Sequence, residues 1–293
     1  MTVATLMSTV ITNRIQSMQC SHPITLSHGT VSCGQCMSCR INRSRLWTSK
    51  LLMESMQHPP ESQFFSTLTY SDDLVPRAPD GRLSLLPRHG VLFRMRLYTQ
   101  LGVNASAFRY FFVGEYGDKT QRPHYHMISF GLSPLAPQLI DQKWQQGFTL
   151  TEPVTPQRLA YVAGYCTKKM TRADDSRLGS RHPEYSQMSR RPALGDTFVQ
   201  SLRGVAAVIK TTGDVPSQYR WQGGLWPFSQ RHKRMMRAAN GLPLKRMEIV
   251  AMHPALQEQV RNTEPPTIDE LLDRRQREVQ RVKKASIYKR HTV

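Results

Sequence analysis

Two β-prone stretches joined by a short polar segment constrain this fold more than any other feature of the sequence. FRYFFVGEYG (108–117) and HYHMISFGL (124–132) are rich in aromatic and β-branched residues, and DKTQRP connects them. Because a parallel pair needs a connection of a dozen or more residues, strands this close in sequence are expected to pair antiparallel. A third stretch of the same character, QFFSTLTY (63–70), predicts a further strand.

Helices are predicted before, between and after these strands. Apolar spacing or capping residues predict helices at 40–57, 85–101, 155–170 and from Thr267 onward. Thr155 can cap the third of these, and Pro156 suits its first turn. Residues 213–228, which include three glycines and two prolines, are instead predicted to be rich in loops.

The charge of the chain predicts a polyanionic partner. Its formal net charge is +19 and its pI is near 10.2, values typical of proteins that bind nucleic acid. Residues 200–293 carry 18 basic and 8 acidic side chains, so the excess is concentrated toward the C-terminus. A solvated basic surface without such a partner is the alternative interpretation.

Three regions are expected along the chain. They are a cysteine-rich segment with a basic helix at 1–60, a central domain at 61–200 and a basic, helical accessory region at 201–293. No run approaches 18 apolar residues, which argues against a membrane span. The N-terminus also lacks the basic start of a signal peptide, so a reducing cytoplasm is the expected location.

Four of the five cysteines lie close together in the sequence: Cys20, Cys33, Cys36 and Cys39. Closely spaced Cys-x2-Cys repeats allow successive thiolates to bind one ion, and in an intracellular chain they favour a structural zinc site. An iron–sulfur cluster or four free cysteines are the alternatives, and His22 or His28 could replace one sulfur ligand. Cys166 is separate and is expected to be a small buried residue.

A pair of histidines one residue apart suggests a second metal site. In a strand, His124 and His126 share one face while Tyr125 lies on the other. If the neighbouring strands pair, Glu115 comes close to both imidazoles. One carboxylate and two imidazoles suit a divalent ion such as Mg²⁺ or Mn²⁺, and three ligands leave coordination positions open for catalysis. Two histidines that merely share a strand face are the simpler alternative.

A tyrosine pair occurs in YVAGYCTKK, within the helix predicted at 155–170. Tyr161 and Tyr165 are four residues apart and share one helix face, which Lys168 extends by one turn. A tyrosine oxygen is a poor nucleophile at its usual pKa of about 10 and needs a nearby cation, which the lysine would provide. Core packing is the alternative interpretation of such a pair.

Taken in order, these motifs resemble those of the HUH endonucleases, which initiate rolling-circle replication. More narrowly, five blocks between about residue 20 and residue 196 resemble the replication initiator of small icosahedral single-stranded DNA phages, the microviruses, especially the gokushovirus branch. The blocks are VSCGQCMSCRINRSRLW, FFSTLTYSDDLVP, VGEYGDKTQRPHYHMISFG, YVAGYCTKK and MSRRPALG. Residues 200–293 lie outside this resemblance.

The resemblance implies an α+β fold, in which an antiparallel sheet of about five strands with flanking helices presents the histidine pair from a central strand. A four-cysteine knuckle and a basic C-terminal helical region would flank this HUH endonuclease domain. It also implies a metal-dependent enzyme that nicks origin DNA, remains linked to the 5′ end through tyrosine, and later rejoins the strand. Single-stranded and origin DNA, and the helicase and replication machinery of an infected bacterium, are the implied partners, in the cytoplasm of that host.

The resemblance further implies roles for the two tyrosines. In the two-tyrosine members each tyrosine begins a Y-x-x-K pattern, which Tyr165-Cys-Thr-Lys168 keeps. Tyr161 is followed at the third position by Gly164, where the pattern has lysine. Tyr165 is therefore expected to be the first nucleophile, assisted by Lys168, with Tyr161 as the second.

Two alternatives remain open. A plasmid initiator, relaxase or transposase would share the histidine pair, although these are not expected to carry the cysteine cluster followed by RINRSRLW. A zinc-stabilised nucleic-acid-binding protein without catalysis would explain the charge and the cysteines, but not the histidines and tyrosines. In the same block-by-block interpretation, Thr67 and Tyr70 are structural, and Arg122 is either a phosphate contact or an ordinary surface arginine.

Overall fold

The computed structural model describes residues 19–26, 29–102, 107–165 and 175–244, together with five isolated helical residues between 272 and 280. This part of the chain contains nine strands and seven helices. The chain divides into two compact units, one formed by Trp47–Ser201 and the other by Met1–Leu46 with Leu202–Val293. The helix predicted from Thr267 onward lies almost wholly outside the described residues. The division into regions 1–60, 61–200 and 201–293 stays a prediction.

A five-stranded antiparallel sheet forms the centre of the unit Trp47–Ser201. Its strands are β3 (Gln63–Thr69), β4 (Arg109–Tyr116), β5 (Pro123–Phe130), β6 (Thr149–Pro153) and β7 (Tyr185–Met188). They lie in the order β6-β3-β5-β4-β7, so that β5 is central. The three strands predicted from the sequence are confirmed, and β4 and β5 pair antiparallel across the short connection. The α+β class and a sheet of five strands with flanking helices are confirmed as well.

Helices accompany this sheet on both of its faces. They are α1 (Met37–Ser55, from Trp47 on in this unit), α2 (Pro87–Leu101), α3 (Ala136–Trp144), α4 (Pro156–Tyr165) and α5 (Asp196–Ser201). Proline at the first position of α2 and of α4 suits a helix start, because the first-turn N–H groups have no partner within the helix. The predicted cap of α4 is present: Thr155 Oγ1 accepts a hydrogen bond from the Arg158 N–H at 3.2 Å.

The face of the sheet covered by α2 and α3 contains the main hydrophobic core. Alternate residues of β5 contribute to it, and Tyr125 and Met127 are fully buried there beside Phe112. Phe93 of α2 and Trp144 of α3 meet edge to face, with ring centroids 5.7 Å apart. Since residues of a strand alternate between faces, this packing turns the side chains of His124 and His126 toward the other face.

The other unit is built from shorter elements. It contains the antiparallel pair β1 (Ile24–Leu26) and β2 (Gly29–Val31), the helices α6 (Val205–Thr212) and α7 (Gln230–Ala239), and the hairpin of β8 (Gln218–Trp221) with β9 (Gly224–Pro227). This hairpin corrects the prediction that residues 213–228 are mainly loop. Its two-residue turn is Gln222-Gly223, with φ of 46° and 76°, as a tight hairpin turn of the primed type requires. A glutamine at the first turn position concealed the hairpin, because asparagine, aspartate or glycine is the usual signal.

None of the helices in the described part of the chain is both long and apolar enough to span a membrane.

Candidate active site

Strand pairing brings Glu115, His124 and His126 together on the face of the sheet opposite the main core. Glu115 of β4 lies directly opposite His124 of β5. His126 lies opposite Val113 on one side and Thr67 of β3 on the other. Directly opposed residues have Cβ atoms about 4.5–5.5 Å apart, so the register alone sets these side chains within reach of one another.

The three side chains meet at one carboxylate oxygen. Glu115 Oε1 is 2.7 Å from His124 Nε2 and 3.1 Å from His126 Nε2. Glu115 and His126 are buried, and His124 is half-buried. One ligand atom from each residue lies within 4.8 Å of the other two, a spacing that a single ion can bridge. A carboxylate with two imidazoles is a donor set that divalent metal ions accept.

The hydrogen bonds of His124 test whether a cation fits this cluster. His124 Nδ1 is 3.1 Å from the carbonyl oxygen of Arg122, and because a carbonyl can only accept, Nδ1 carries the proton. In the neutral imidazole Nε2 then presents a lone pair, directed at a carboxylate oxygen that is itself an acceptor. Two acceptors 2.7 Å apart need a cation, either a shared proton or a metal ion that both bind. The geometry of Glu115 and His124 therefore fits a bound metal.

His126 is oriented by two residues of β3. Thr67 Oγ1 lies 3.1 Å from His126 Nδ1, and the ring of Phe65 stacks on the imidazole with centroids 5.5 Å apart. Partners on the second nitrogen of a metal-binding histidine fix its orientation. The interpretation of Thr67 as structural missed this contact. The available signal was the alternation along QFFSTLTY, which sets Phe65 and Thr67 on one face of a strand.

Tyr161 lies beside the histidine pair. On α4, Leu159, Val162 and Ala163 are almost fully buried, and the helix packs against β4 and β5. Tyr161, in contrast, is 57% exposed, and its ring centroid is 6.1 Å from that of His126. An exposed phenol next to a candidate metal site is accessible to a DNA strand.

The second tyrosine and the lysine of YVAGYCTKK are less fully described. Tyr165 is the last described residue of α4, and its side chain lies outside the described part, as do Cys166 and Lys168. Gly164 has open space around it, since a Cβ built there meets no atom within 4 Å. The roles assigned to Tyr165 and Lys168 therefore stay predictions.

Arg122 stabilises the turn between β4 and β5. Its guanidinium donates to Asp72 Oδ1 and to the Tyr70 carbonyl oxygen, each at 2.7 Å. Its own carbonyl oxygen accepts from the Gly117 N–H at 3.0 Å and from His124. Arg122 thus helps to hold the carbonyl that sets the protonated nitrogen of His124. Its contacts are those of a positioning residue.

The four clustered cysteines converge within the other unit. Sulfur–sulfur distances are 3.4 Å for Cys20–Cys33, 3.8 Å for Cys20–Cys36 and 4.0 Å for Cys33–Cys39. Four thiolates placed tetrahedrally at the usual zinc–sulfur distance of about 2.3 Å would be about 3.8 Å apart. The cluster therefore has the dimensions of a site for one ion. His22 is exposed and lies outside this group, and His28 falls outside the described residues.

The protein environment divides the ionisation of these thiols. Burial opposes ionisation of Cys36, but hydrogen bonds from Ser21 and from the Cys39 amide lower its pKa to about 6. Burial, with hydrogen bonds from Cys36 and Cys20, raises the pKa of the Cys39 thiol to about 12. A metal that binds all four sulfurs as thiolates must displace the proton that Cys39 otherwise keeps, so metal binding is expected to be coupled to proton release.

Comparison with known proteins agrees with the arrangement of this site. Residues 63–170, which include Glu115, both histidines and both tyrosines, match the family model of the replication-associated protein ORF2. The chain is 30% identical over 179 residues to the replication-associated protein ORF2 of Spiroplasma virus 4, a match that covers 55% of each chain. No solved structure matches it.

Two further phage proteins show similar identity. The replication-associated protein VP4 of Bdellovibrio phage phiMH2K is 27% identical over 213 residues, covering 64% of this chain and 65% of that protein. The replication-associated protein ORF4 of Chlamydia phage 1 is 28% identical over 210 residues, covering 64% of this chain and 50% of that protein. The matches thus span between half and about two thirds of the relatives' length. They confirm the resemblance carried by the sequence blocks, and the chain is a microvirus-like member of the phage replication-associated proteins.

Proposed function

We propose that this protein is a site-specific DNA-nicking and strand-joining enzyme that initiates rolling-circle replication. The observation that carries the proposal is an exposed tyrosine, Tyr161, beside the buried cluster of Glu115, His124 and His126. All four residues lie within the segment that matches the replication-associated family. An HUH-type nuclease needs this combination of a nucleophilic hydroxyl and a cation site next to each other.

In the proposed reaction a tyrosine oxygen attacks the scissile phosphate. A bond forms between the tyrosine oxygen and phosphorus, the bond from phosphorus to the 3′ oxygen breaks, and the freed 3′-OH takes up a proton and primes synthesis. The reverse transfer, from phosphotyrosine to a 3′-OH, joins the strand and releases the tyrosine. By resemblance Tyr165 attacks first, Lys168 lowers the charge on its oxygen, and Tyr161 serves the second transfer.

The remaining residues of the site have supporting roles in this proposal. Glu115, His124 and His126 would hold Mg²⁺ or Mn²⁺, which when bound polarises the phosphate. Thr67 and Phe65 keep the ring of His126 in place, and the Arg122 carbonyl does so for His124. In the other unit, Cys20, Cys33, Cys36 and Cys39 would bind a structural Zn²⁺, because their separations fit one tetrahedral ion. An iron–sulfur cluster fits less well, since its thiolates bind different irons and stand farther apart.

The biological setting follows from the phage relatives. We infer that the substrate is the origin of a single-stranded DNA phage, in its replicative form, within the infected bacterial host. The basic region 201–293 is assigned to accessory contacts with DNA or with the host helicase. The cysteine cluster and the comparisons with phage proteins make a plasmid initiator, relaxase or transposase the less favoured member of the same class.

A covalent-trapping assay tests this proposal. The full chain would be mixed with Mn²⁺ and a single-stranded origin oligonucleotide labelled at its 3′ end, because the covalent product retains the downstream strand. Wild type, Tyr161→Phe, Tyr165→Phe and His126→Ala would be compared on a denaturing gel. Tyr185→Phe, which removes a buried hydroxyl elsewhere on the sheet, serves as the control.

A labelled band at the mass of protein plus DNA is expected for wild type and Tyr185→Phe. It should depend on Mn²⁺ and be abolished in His126→Ala and in the variant that lacks the attacking tyrosine. Loss in Tyr161→Phe alone would preserve the nuclease and reverse the assigned order of the tyrosines. If folded wild-type protein binds the origin but forms no adduct, the protein is a zinc-stabilised DNA-binding protein and the enzymatic proposal is refuted.

A further inference from the structure

A cleft at the opposite end of β4 from the histidine site has a lining suited to nucleic acid. Its volume is about 530 Å³, within the usual range of ligand sites, and it lies between the end of α2, the start of β4 and the residues that follow β7. Three aromatic rings and three guanidinium groups contribute to its wall: Tyr98, Phe108, Tyr110, Arg109, Arg190 and Arg191. We call it the arginine–aromatic cleft.

The rings of the arginine–aromatic cleft form a continuous row. Tyr98 and Phe108 have centroids 5.1 Å apart, and Phe108 and Tyr110 have centroids 5.8 Å apart. Phe108 is buried, whereas Tyr98 is 37% exposed and Tyr110 is half-buried. The row therefore includes ring surface that an unstacked base can contact, and stacking on such surface is the common means of holding single-stranded DNA.

The charge of the cleft complements a phosphodiester backbone. Arg190 and Arg191 are exposed, and none of the described residues that line the cleft is acidic. Arg109 is nine-tenths buried: its Nε donates to Glu54 Oε1 at 2.8 Å, and its Nη2 has no hydrogen-bond partner within the described part of the chain. Clustered arginines beside aromatic rings favour a polyanion that also carries flat bases, which is the composition of a DNA strand.

The edge strand β7 connects this cleft to the histidine site. Tyr185 at its start pairs with Gly114, next to Glu115, and Met188 at its end lines the cleft. Along β4 the two sites are six residues apart, from Arg109 to Glu115, or about 20 Å. At a stacked spacing of about 3.4 Å per nucleotide, roughly six nucleotides cover that distance.

We propose that the arginine–aromatic cleft is a second DNA subsite, which binds a single-stranded segment about six nucleotides from the phosphate at the histidine site. A base stacks on the exposed ring surface of Tyr98 or Tyr110, and Arg190 and Arg191 contact phosphates. The choice of DNA as the ligand rests on the proposed function. The subsite would extend recognition beyond the nicked position and keep the strand in register.

Binding measured without catalysis tests this subsite. Fluorescence anisotropy would follow a labelled single strand of about 20 nucleotides and a duplex of the same sequence, in EDTA, so that no cleavage occurs. Arg190→Gln/Arg191→Gln would be compared with Arg77→Gln/Arg88→Gln, which removes the same charge from positions outside the cleft. Tyr98→Leu keeps an apolar contact with Phe108 but removes the ring, and it provides a second variant should the arginine pair affect folding.

The double arginine variant is expected to bind the single strand at least about tenfold more weakly, with a salt slope lower by about 1.4, as loss of two phosphate contacts implies. Tyr98→Leu should weaken single-strand binding about fivefold or more and leave duplex binding unchanged, because only unpaired bases can stack. Unchanged affinity and salt slope in the cleft variants, or an equal effect in the control pair, would overturn the subsite. Because these readouts need no adduct, they stand whether or not the protein nicks DNA.

Discussion

The contact between Thr67 and His126 leads to the sharpest prediction about the histidine site. Thr67→Val keeps the shape and the β-branching of the side chain but removes the hydroxyl that lies 3.1 Å from His126 Nδ1. A hydrogen bond of this kind contributes about 1 kcal/mol, or about fivefold in an equilibrium constant. Loss of such a partner of a metal-binding histidine typically weakens metal affinity by about 10–100-fold. We therefore expect Mn²⁺ to bind about tenfold more weakly.

Titration of Mn²⁺ into the DNA-free protein, followed by calorimetry, measures this effect apart from any reaction. The melting temperature should change little, because Thr67 is half-buried and valine is favourable in strands. Thr69→Val is the matched control, since the hydroxyl of Thr69 donates to the Phe148 carbonyl oxygen instead. Equal Mn²⁺ affinity in Thr67→Val and wild type, or an equal loss in Thr69→Val, would show that the hydroxyl does not orient a metal ligand.

Three further predictions concern stability and the second metal. Although burial opposes ionisation of Glu54, hydrogen bonds from His58 and Arg109 lower its pKa below 4.5; its stabilising effect is therefore present above about pH 4.5 and lost as the pH falls through the folded-state value. Glu54→Gln should cost about 3 kcal/mol at pH 7, and this difference from wild type should shrink in thermal unfolding below pH 4.5. Cys36→Ser should abolish the one zinc per chain that elemental analysis is expected to find, while Cys166→Ser retains it; zinc retained in Cys36→Ser would contradict the four-sulfur site. Gly164→Ala should raise the melting temperature through a gain of up to about 1 kcal/mol, because the position has open space, and a lower melting temperature would show that the helix does not continue there.

The parts of the site that are local in sequence could be predicted without the structure. Glu115 and His124 are nine residues apart, and a short connection between two β-prone stretches leaves antiparallel pairing as the expected outcome. Strand alternation then sets His126 beside His124 and turns Tyr125 to the opposite face. The four cysteines are similarly local, three of them within seven residues. In each case the chemistry follows from spacing along one or two adjacent elements.

Contacts between distant segments could not be predicted in this way. Thr67 and His126 become partners only because β3 pairs with β5, and nothing in QFFSTLTY identifies its neighbour. The buried ion pair of Glu54 with Arg109 is of the same kind, since helical spacing alone assigns charged residues to a solvated surface. The edge strand β6 was missed because a five-residue strand of mixed polarity, partly exposed, lacks a clear alternating pattern.

The central place of β5 separates the tolerance of this sheet into two zones. Strands at the edge of a sheet open more readily than those flanked on both sides, and β6 and β7 are each separated from β5 by a whole strand. Local opening at either edge therefore leaves the ladders that flank His124 and His126 intact. In the course of phage evolution, the edges are accordingly free to adapt to new origin sequences while the ligand geometry stays constant. Insertions, changes of charge and altered loops should accumulate beside β6 and β7 before they accumulate around β5.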